Sequence, residues 1–129
     1  MTTTWTTDEL TKIAAADELQ ITYLRRDGTL GRARTIWVVR HGDDLYVRSV
    51  NGRTSAWFRG TQVRHEGHVQ AGGVGKDVAF ADAGDGIDDQ IDAAYRTKYR
   101  GYAANIVNSI VTPQARAATL RLAPQTPHM

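Results

Sequence analysis

Residues 19–50 place three strand-like segments in succession, with no room for a helix between them. The stretch reads LQITYLRRDGTLGRARTIWVVRHGDDLYVRSV and is rich in Thr, Ile, Val, Tyr and Trp. Its turn signals divide it into three predicted strands, near 19–25, 31–40 and 44–50. Parallel neighbours would require a crossover connection of a dozen or more residues, so these strands are expected to pair antiparallel.

Other segments show helix and strand signals of their own. Thr6 and Glu9 have the spacing of a capping box, and Asp85 is the expected N-cap of a later helix, with Asp88 and Asp89 in its first turn. The predicted elements outside the three-stranded ribbon are helices over 6–16, 54–62 and 85–100, a helical turn or two over 102–111, and strands over 63–71, 76–83 and 115–123.

This order of elements predicts a mainly β protein with minor α content. A meander of about six strands with few helices favours a small barrel over a doubly wound sheet. The chain has 129 residues, which is the size of one domain. We expect that domain to span 1–122 and residues 123–129 to form a disordered tail.

Composition narrows the possible partners and compartment. The net charge is +2, acids are interspersed with the basic residues, and the chain has no cysteine. No long basic stripe is present, so nucleic acid is disfavoured as a partner. No apolar run approaches the roughly 20 residues of a membrane span, and the first ten residues lack the features of a secretory signal. We therefore expect a cytoplasmic protein without a membrane partner.

One segment collects cations, hydroxyls and aromatic rings around a predicted turn. It reads YVRSVNGRTSAWFR and covers residues 46–59. Arginine forks match phosphate oxygens, and a helix that starts near Thr54 would direct free N–H groups at the same anion. The alternative is a surface loop in which Arg48 and Arg53 pair with Asp43 or Asp44 while Trp57 covers an apolar end of the barrel.

The longer stretch TIWVVRHGDDLYVRSVNGRTSAWFRG resembles the core hairpin of the flavin-binding split-barrel superfamily. That superfamily includes pyridoxine-phosphate-oxidase-like proteins and deazaflavin-dependent nitroreductases. Residues 37–81 are most similar to a bacterial family of small uncharacterised split-barrel proteins. The resemblance implies a six-stranded split β-barrel with an N-terminal helix and one longer helix before the last strand. It also implies a homodimer with the cofactor in a groove at or near the dimer interface.

The resemblance further implies a set of site residues. By position, the cofactor-binding residues would be Arg34, Thr35, Arg48, Ser49, Arg53, Ser55 and Trp57. Relatives that use deazaflavin often have a lysine in the corresponding loop, where this chain has Arg53 and, farther along, Lys76. The cofactor could therefore be FMN, a deazaflavin coenzyme or none.

Two functions follow from the resemblance. The first is a flavin- or deazaflavin-dependent oxidoreductase that acts on a small organic molecule by hydride transfer. Tyr95 and Tyr99 are candidate catalytic residues for it, although a Tyr stripe at helical spacing is also typical of a core. The second is a cofactor-free protein of the same fold that binds a small molecule or assists a biosynthetic step. No metal site is predicted, because HEGH and DAGDGIDD lack the spacing of metal-binding motifs.

Overall fold

The computed structural model describes residues 4–84 and 86–125. Its helices are α1 Thr7–Ala15, α2 Ala56–Arg64, α3 Asp88–Lys98, α4 Ala104–Asn108 and α5 Pro113–Arg116, with a 3₁₀ turn over Gly52–Thr54. Its strands are β1 Leu19–Tyr23, β2 Arg34–Ile36, β3 Val39–His41, β4 Asp44–Arg48, β5 Glu66–Ala71, β6 Val74–Asp82 and β7 Thr119–Pro124.

All seven strands belong to one antiparallel sheet in the order β2-β1-β5-β6-β7-β4-β3. The two edge strands, β2 and β3, are neighbours in the chain and are separated by Trp37 and Val38 alone. One short segment therefore connects the two edges of the sheet, which curls into a nearly closed barrel. The prediction of a mainly β barrel is confirmed.

The single strand predicted over 31–40 is wrong, and this explains why seven strands replace the expected six. Its first half pairs with β1, where Ile36 lies opposite Leu19. Its second half pairs with β4, where Val39 lies opposite Tyr46. An extended segment that changes partners must break its hydrogen-bond ladder, and it does so at residues 37 and 38. We refer to these two residues as the strand break.

The barrel has apolar side chains on both of its faces. Alternate residues of β4 point to opposite sides, so Leu45 and Val47 join the large interior cluster, while Tyr46 joins a second cluster beneath α3. Arg48 follows the same alternation and is buried on the α3 side. The outer cluster consists of Val39, Tyr46, Ile91, Tyr95, Tyr99, Val107 and Ile110.

Several helix signals are confirmed. The backbone N–H of Thr6 donates to Glu9 Oε1 at 2.9 Å, and the N–H of Glu9 donates to Thr6 Oγ1 at 3.1 Å, which completes the capping box. Asp88 and Asp89 occupy the first turn of α3. The predicted cap, Asp85, lies outside the described residues.

Other boundaries differ from the prediction. The strand expected over 115–123 begins only at Thr119, because Thr112 caps α5 and Pro113 occupies its first turn. That strand continues to Pro124, so residues 123 and 124 lie in the sheet and not in the expected tail. The strand expected from residue 63 begins at Glu66, because α2 runs to Arg64 and ends at the left-handed His65.

No helix in 4–84 or 86–125 is long and apolar enough to cross a bilayer.

Candidate functional site

A cavity of about 280 Å³ opens beside the strand break. It lies where the end of β4, the start of α2 and α4 with the two residues after it converge. Its lining residues are Thr35, Ile36, Trp37, Arg48, Ser49, Val50, Asn51, Ser55, Trp57, Ile106, Ser109 and Ile110. Five of the seven predicted cofactor-binding residues thus meet at one place, although they span more than twenty positions in the sequence.

Hydroxyl groups and a helix start form the polar wall of this cavity. The Oγ atoms of Ser49 and Ser55 are 2.7 Å apart. Ser55 caps α2 by accepting the backbone N–H of Phe58 at 3.4 Å, and Thr35 Oγ1 accepts from Gln20 Nε2 at 2.7 Å. No acidic residue occupies the first turn of α2. The first N–H groups of a helix have no intrahelical acceptor, so this wall favours an anion or another hydrogen-bond acceptor.

Two tryptophans supply the apolar walls. The ring of Trp37 stacks on the ring of Tyr99, with centroids 3.8 Å apart and planes 3° from parallel. Trp57 is half-buried at the start of α2 and packs against the interior cluster. Val50 and Ile106 each remain 46% exposed at the mouth of the cavity. The cavity therefore combines polar groups at one end with flat apolar surfaces and an apolar rim.

Arg48 lines the cavity but directs its charge away from it. Its side chain is completely buried, and Nε donates to Thr119 Oγ1 at 2.9 Å. One terminal nitrogen bonds Asp92 and the carbonyl of Ile110, and the other bonds the carbonyl of Asp88. The guanidinium donors are thus used inside the protein.

Asp92 is the centre of this buried network. One of its carboxylate oxygens accepts from Arg48, and the other accepts from Arg116, whose Nε lies 2.9 Å away. Burial raises the pKa of Asp92, but the hydrogen bonds from Arg116 and Arg48 outweigh burial and lower it below the ordinary value. The carboxylate therefore stays charged and ties β4, α3 and α5 together.

The other two predicted arginines lie elsewhere. Arg53 lines a second, polar hollow of about 480 Å³, where it donates to the carbonyl of Ala117 at 2.9 Å and pairs with Asp82 at 3.6 Å. Arg34 is exposed on β2 and lines neither hollow. The predicted pairing of Arg48 and Arg53 with Asp43 or Asp44 is wrong, because each arginine has other carboxylate partners.

The candidate catalytic tyrosines belong to the buried side of α3 and to its C-cap, and neither lines the cavity. Tyr95 and Tyr99 are fully buried, and burial is the main reason that the pKa of each hydroxyl is raised. Tyr99 donates to the carbonyl of Asp17 at 2.7 Å. The hydroxyl of Tyr95 has no hydrogen-bond partner among the described residues. Both side chains pack in the outer cluster.

Sequence reasoning missed several of the cavity residues. Trp37 lies inside the quoted hairpin, where its sequence context does not mark it as a cavity residue. Its position at the strand break becomes visible only when the pairing partners of β2 and β3 are known. Ile106, Ser109 and Ile110 come from a segment more than forty residues downstream of the hairpin. No local signal connects that segment to the hairpin, because the contact is tertiary.

Sequence comparison assigns the chain to a family. The model of the family described as "Uncharacterized protein conserved in bacteria (DUF2255)" matches residues 9–122. The chain belongs to this family. DUF2255 is thus the bacterial family of uncharacterised proteins that the sequence indicated. A comparison with curated proteins found no match.

Solved structures show which fold this DUF2255 protein has. HutZ from Vibrio cholerae, described as a heme storage protein, has a similar fold with a TM-score of 0.67. The sequences are 12% identical, and the match covers 94% of this chain and 91% of HutZ. A FAD-binding protein from Mesorhizobium loti has a TM-score of 0.58 at 18% identity, and the match covers 95% of this chain and 92% of that protein. A protein described as an F420 reductase has a TM-score of 0.58 at 12% identity, and the match covers 90% of this chain and 92% of that protein.

At 12–18% sequence identity, structural similarity shows only that these proteins share a fold. The similar structures include ones described as a FAD-binding protein, an F420 reductase and a putative pyridoxamine 5'-phosphate oxidase, so the predicted split-barrel fold is confirmed. These proteins are described with different prosthetic groups and activities. The function of the DUF2255 protein has to be argued from its own cavity.

Proposed function

We propose that this protein is a flavin-type oxidoreductase of the split-barrel fold, which uses FMN or a deazaflavin coenzyme and acts on a small organic molecule. One observation carries the proposal: the Ser49 and Ser55 hydroxyls and the start of α2 meet two tryptophans around a single cavity. An elongated cofactor with a phosphate at one end and an apolar ring system at the other matches that arrangement. When bound, the flavin would supply hydride transfer.

In this proposal, hydroxyls and backbone N–H groups hold the phosphate, and arginines do not. Ser55 and the first turn of α2 face the cavity without a nearby carboxylate in that turn. Arg48 contributes indirectly, because its buried bonds to Asp92 and Thr119 hold the end of β4, and therefore Ser49, in place. Trp37 and Trp57 would bound the apolar part of the ligand.

The size of the cavity bears on the oligomeric state. Its volume of about 280 Å³ lies just below the range of roughly 300–1,000 Å³ that is usual for ligand pockets. The exposed Val50 and Ile106 at its mouth leave an apolar rim uncovered. We infer that a second copy of the chain covers this rim and completes the site, and that the cytoplasmic form is a homodimer.

A second candidate function has its own support. Arg48, which lines the cavity, has its donors bonded within the protein, so the cavity offers hydroxyls and tryptophans without a free guanidinium from that residue. This chemistry also fits a neutral small molecule. A cofactor-free binding protein or biosynthetic helper would use the same cavity.

Titration of the purified protein with FMN, and separately with the F420 coenzyme, distinguishes the two functions. Flavin fluorescence reports binding, and the proposed function predicts saturable binding in the micromolar range or tighter.

Ser55→Gly keeps α2 capped at a cost of a few tenths of a kcal/mol but removes the cavity hydroxyl. We expect it to weaken binding about 10- to 150-fold, since a hydrogen bond to a charged group is worth roughly 1.5–3 kcal/mol.

Arg53→Gln is the matched control, because it removes a cation from the neighbouring hollow and should leave flavin affinity unchanged. If Arg53→Gln weakens binding and Ser55→Gly does not, the phosphate lies in the polar hollow and the site proposed here is wrong. If neither coenzyme binds at concentrations well above micromolar, the cofactor-free function replaces the first.

A further inference from the structure

Lys98 differs from the other two lysines of the chain in its surroundings. Lys12 Nζ lies 3.0 Å from Asp8, and Lys76 Nζ lies 2.7 Å from Glu9. Lys98 Nζ donates instead to the neutral carbonyl of Val38 at 2.6 Å. In the part of the chain that the structure describes, no carboxylate lies within ion-pair distance of it. Among the described residues, its amine is therefore the one lysine amine without a carboxylate within ion-pair distance.

Lys98 also lines an open groove of its own. It stands in the last turn of α3, where that helix passes β3, and the groove has a volume of about 490 Å³. None of the residues that line this groove lines the cavity at the strand break. Its walls combine small apolar side chains with a polar rim, namely Ala14, Val39, Ala93 and Ala94 with Arg40 and His41.

Burial makes the neutral amine far more populated in Lys98 than in an ordinary lysine, although the charged form still predominates at pH 7.5. Burial lowers the pKa of Lys98 to about 8, and the charge of Asp17 offsets part of that fall. The Nζ atom stands 5.1 Å from the centre of the Tyr99 ring, and Arg40 and His41 of β3 are the other titratable groups along the groove. At pH 7.5 about a quarter of an amine with such a pKa is neutral, against roughly one in a thousand for an ordinary lysine.

We propose that Lys98 is a nucleophilic amine that captures an aldehyde with a small apolar body in this groove, as a reversible imine. The neutral amine attacks the carbonyl carbon, and the carbinolamine that forms loses water. A C=N bond replaces the C=O bond, and the two amine protons leave with the oxygen, so no oxidant or reductant is required. The apolar body of the aldehyde lies between α1 and α3, against Ala14 and Ala94. This site is independent of the flavin-type function proposed for the cavity.

Reductive trapping tests the proposal. The full chain is incubated with benzaldehyde and sodium cyanoborohydride at pH 7.5, and peptide mapping by mass spectrometry measures the rate of benzylation at each lysine. The terminal amine is scored separately, because its ordinary pKa is also near 8. We expect Lys98 to be benzylated about tenfold faster than Lys12 and Lys76. Equal or slower benzylation of Lys98 would overturn the proposal.

Two variants test the role of the groove and the role of the amine separately. Ala93→Leu narrows the groove from an exposed position on α3, and it should slow benzylation of Lys98 severalfold while leaving carbamylation by the small cyanate ion unchanged. An unchanged benzylation rate would show that the groove does not hold the aldehyde. Lys98→Arg keeps a donor for the Val38 carbonyl and should abolish the adduct at position 98 while the protein stays folded.

Discussion

Arg48 on β4 and Asp92 on α3 form a buried ion pair that joins the barrel to the helix covering its outer face. The Arg48 side chain is completely buried and that of Asp92 is 11% exposed. Arg116 of α5 completes the pairing from the opposite side of the carboxylate. The pair therefore lies where three elements meet, directly behind the cavity, and its first role is structural.

Arg48→Ala should lower the free energy of unfolding by about 3–5 kcal/mol, because it leaves a buried carboxylate without one of its partners. Urea denaturation measures the effect. Arg53→Ala is the control, since its pair with Asp82 is half-exposed and such pairs contribute less than about 1 kcal/mol. Equal stability of the two variants would show that the buried network is not structural.

Acid should destabilise the protein through Asp92. Its pKa is lower in the folded state than the ordinary carboxyl value near 4. The stabilisation is therefore complete above pH 4 and is lost as the pH falls through the folded-state pKa. Unfolding free energies measured from pH 6 to pH 2 should fall more steeply for wild type than for Asp92→Asn. A gap between the two proteins that stays constant over that range would contradict this origin.

Removing the hydroxyls of the two buried tyrosines should have opposite consequences. Tyr95→Phe deletes an oxygen that has no partner among the described residues, so stability should be unchanged or slightly higher. Tyr99→Phe deletes the donor to Asp17 and the acceptor of the Val38 N–H. A buried group left without a partner costs roughly 1–3 kcal/mol. Thermal and urea unfolding of both variants check the contrast, and similar losses in both would refute it.

Gly60→Ala should destabilise the protein although alanine is the better helix former. Gly60 lies inside α2, where alanine normally adds about 1 kcal/mol. A Cβ atom at this position would overlap the Tyr23 ring, and overpacking costs typically 1–3 kcal/mol. Gly101→Ala is the control, because an added Cβ there meets nothing within 4 Å. If urea denaturation shows that Gly60→Ala has a higher free energy of unfolding than wild type, Tyr23 must move aside at no cost.

Some of the hydroxyls and aromatic rings around the cavity could be predicted from the sequence, but Trp37, Ser109 and the partners of the arginines could not. Ser49, Ser55 and Trp57 follow one another closely around one turn, so the local chain brings them to the same place. The orientation of the Arg48 side chain depends on its bond to Asp92, which lies 44 positions downstream. Arg53 depends on Asp82 and on Ala117 in the same way. A count of nearby arginines cannot show which of them a distant carboxylate holds.

The amino-acid sequence by itself determined the antiparallel ribbon, the capped first helix and the mainly β class, because turns, caps and side-chain alternation act over a few residues. Only the tertiary structure decided that the strand over 31–40 breaks at Trp37 and Val38 to join both edges of the sheet. It also decided that the arginines diverge into separate ion pairs. Both outcomes depend on pairing between residues far apart in the chain, where the closing of the barrel selects which partners can meet.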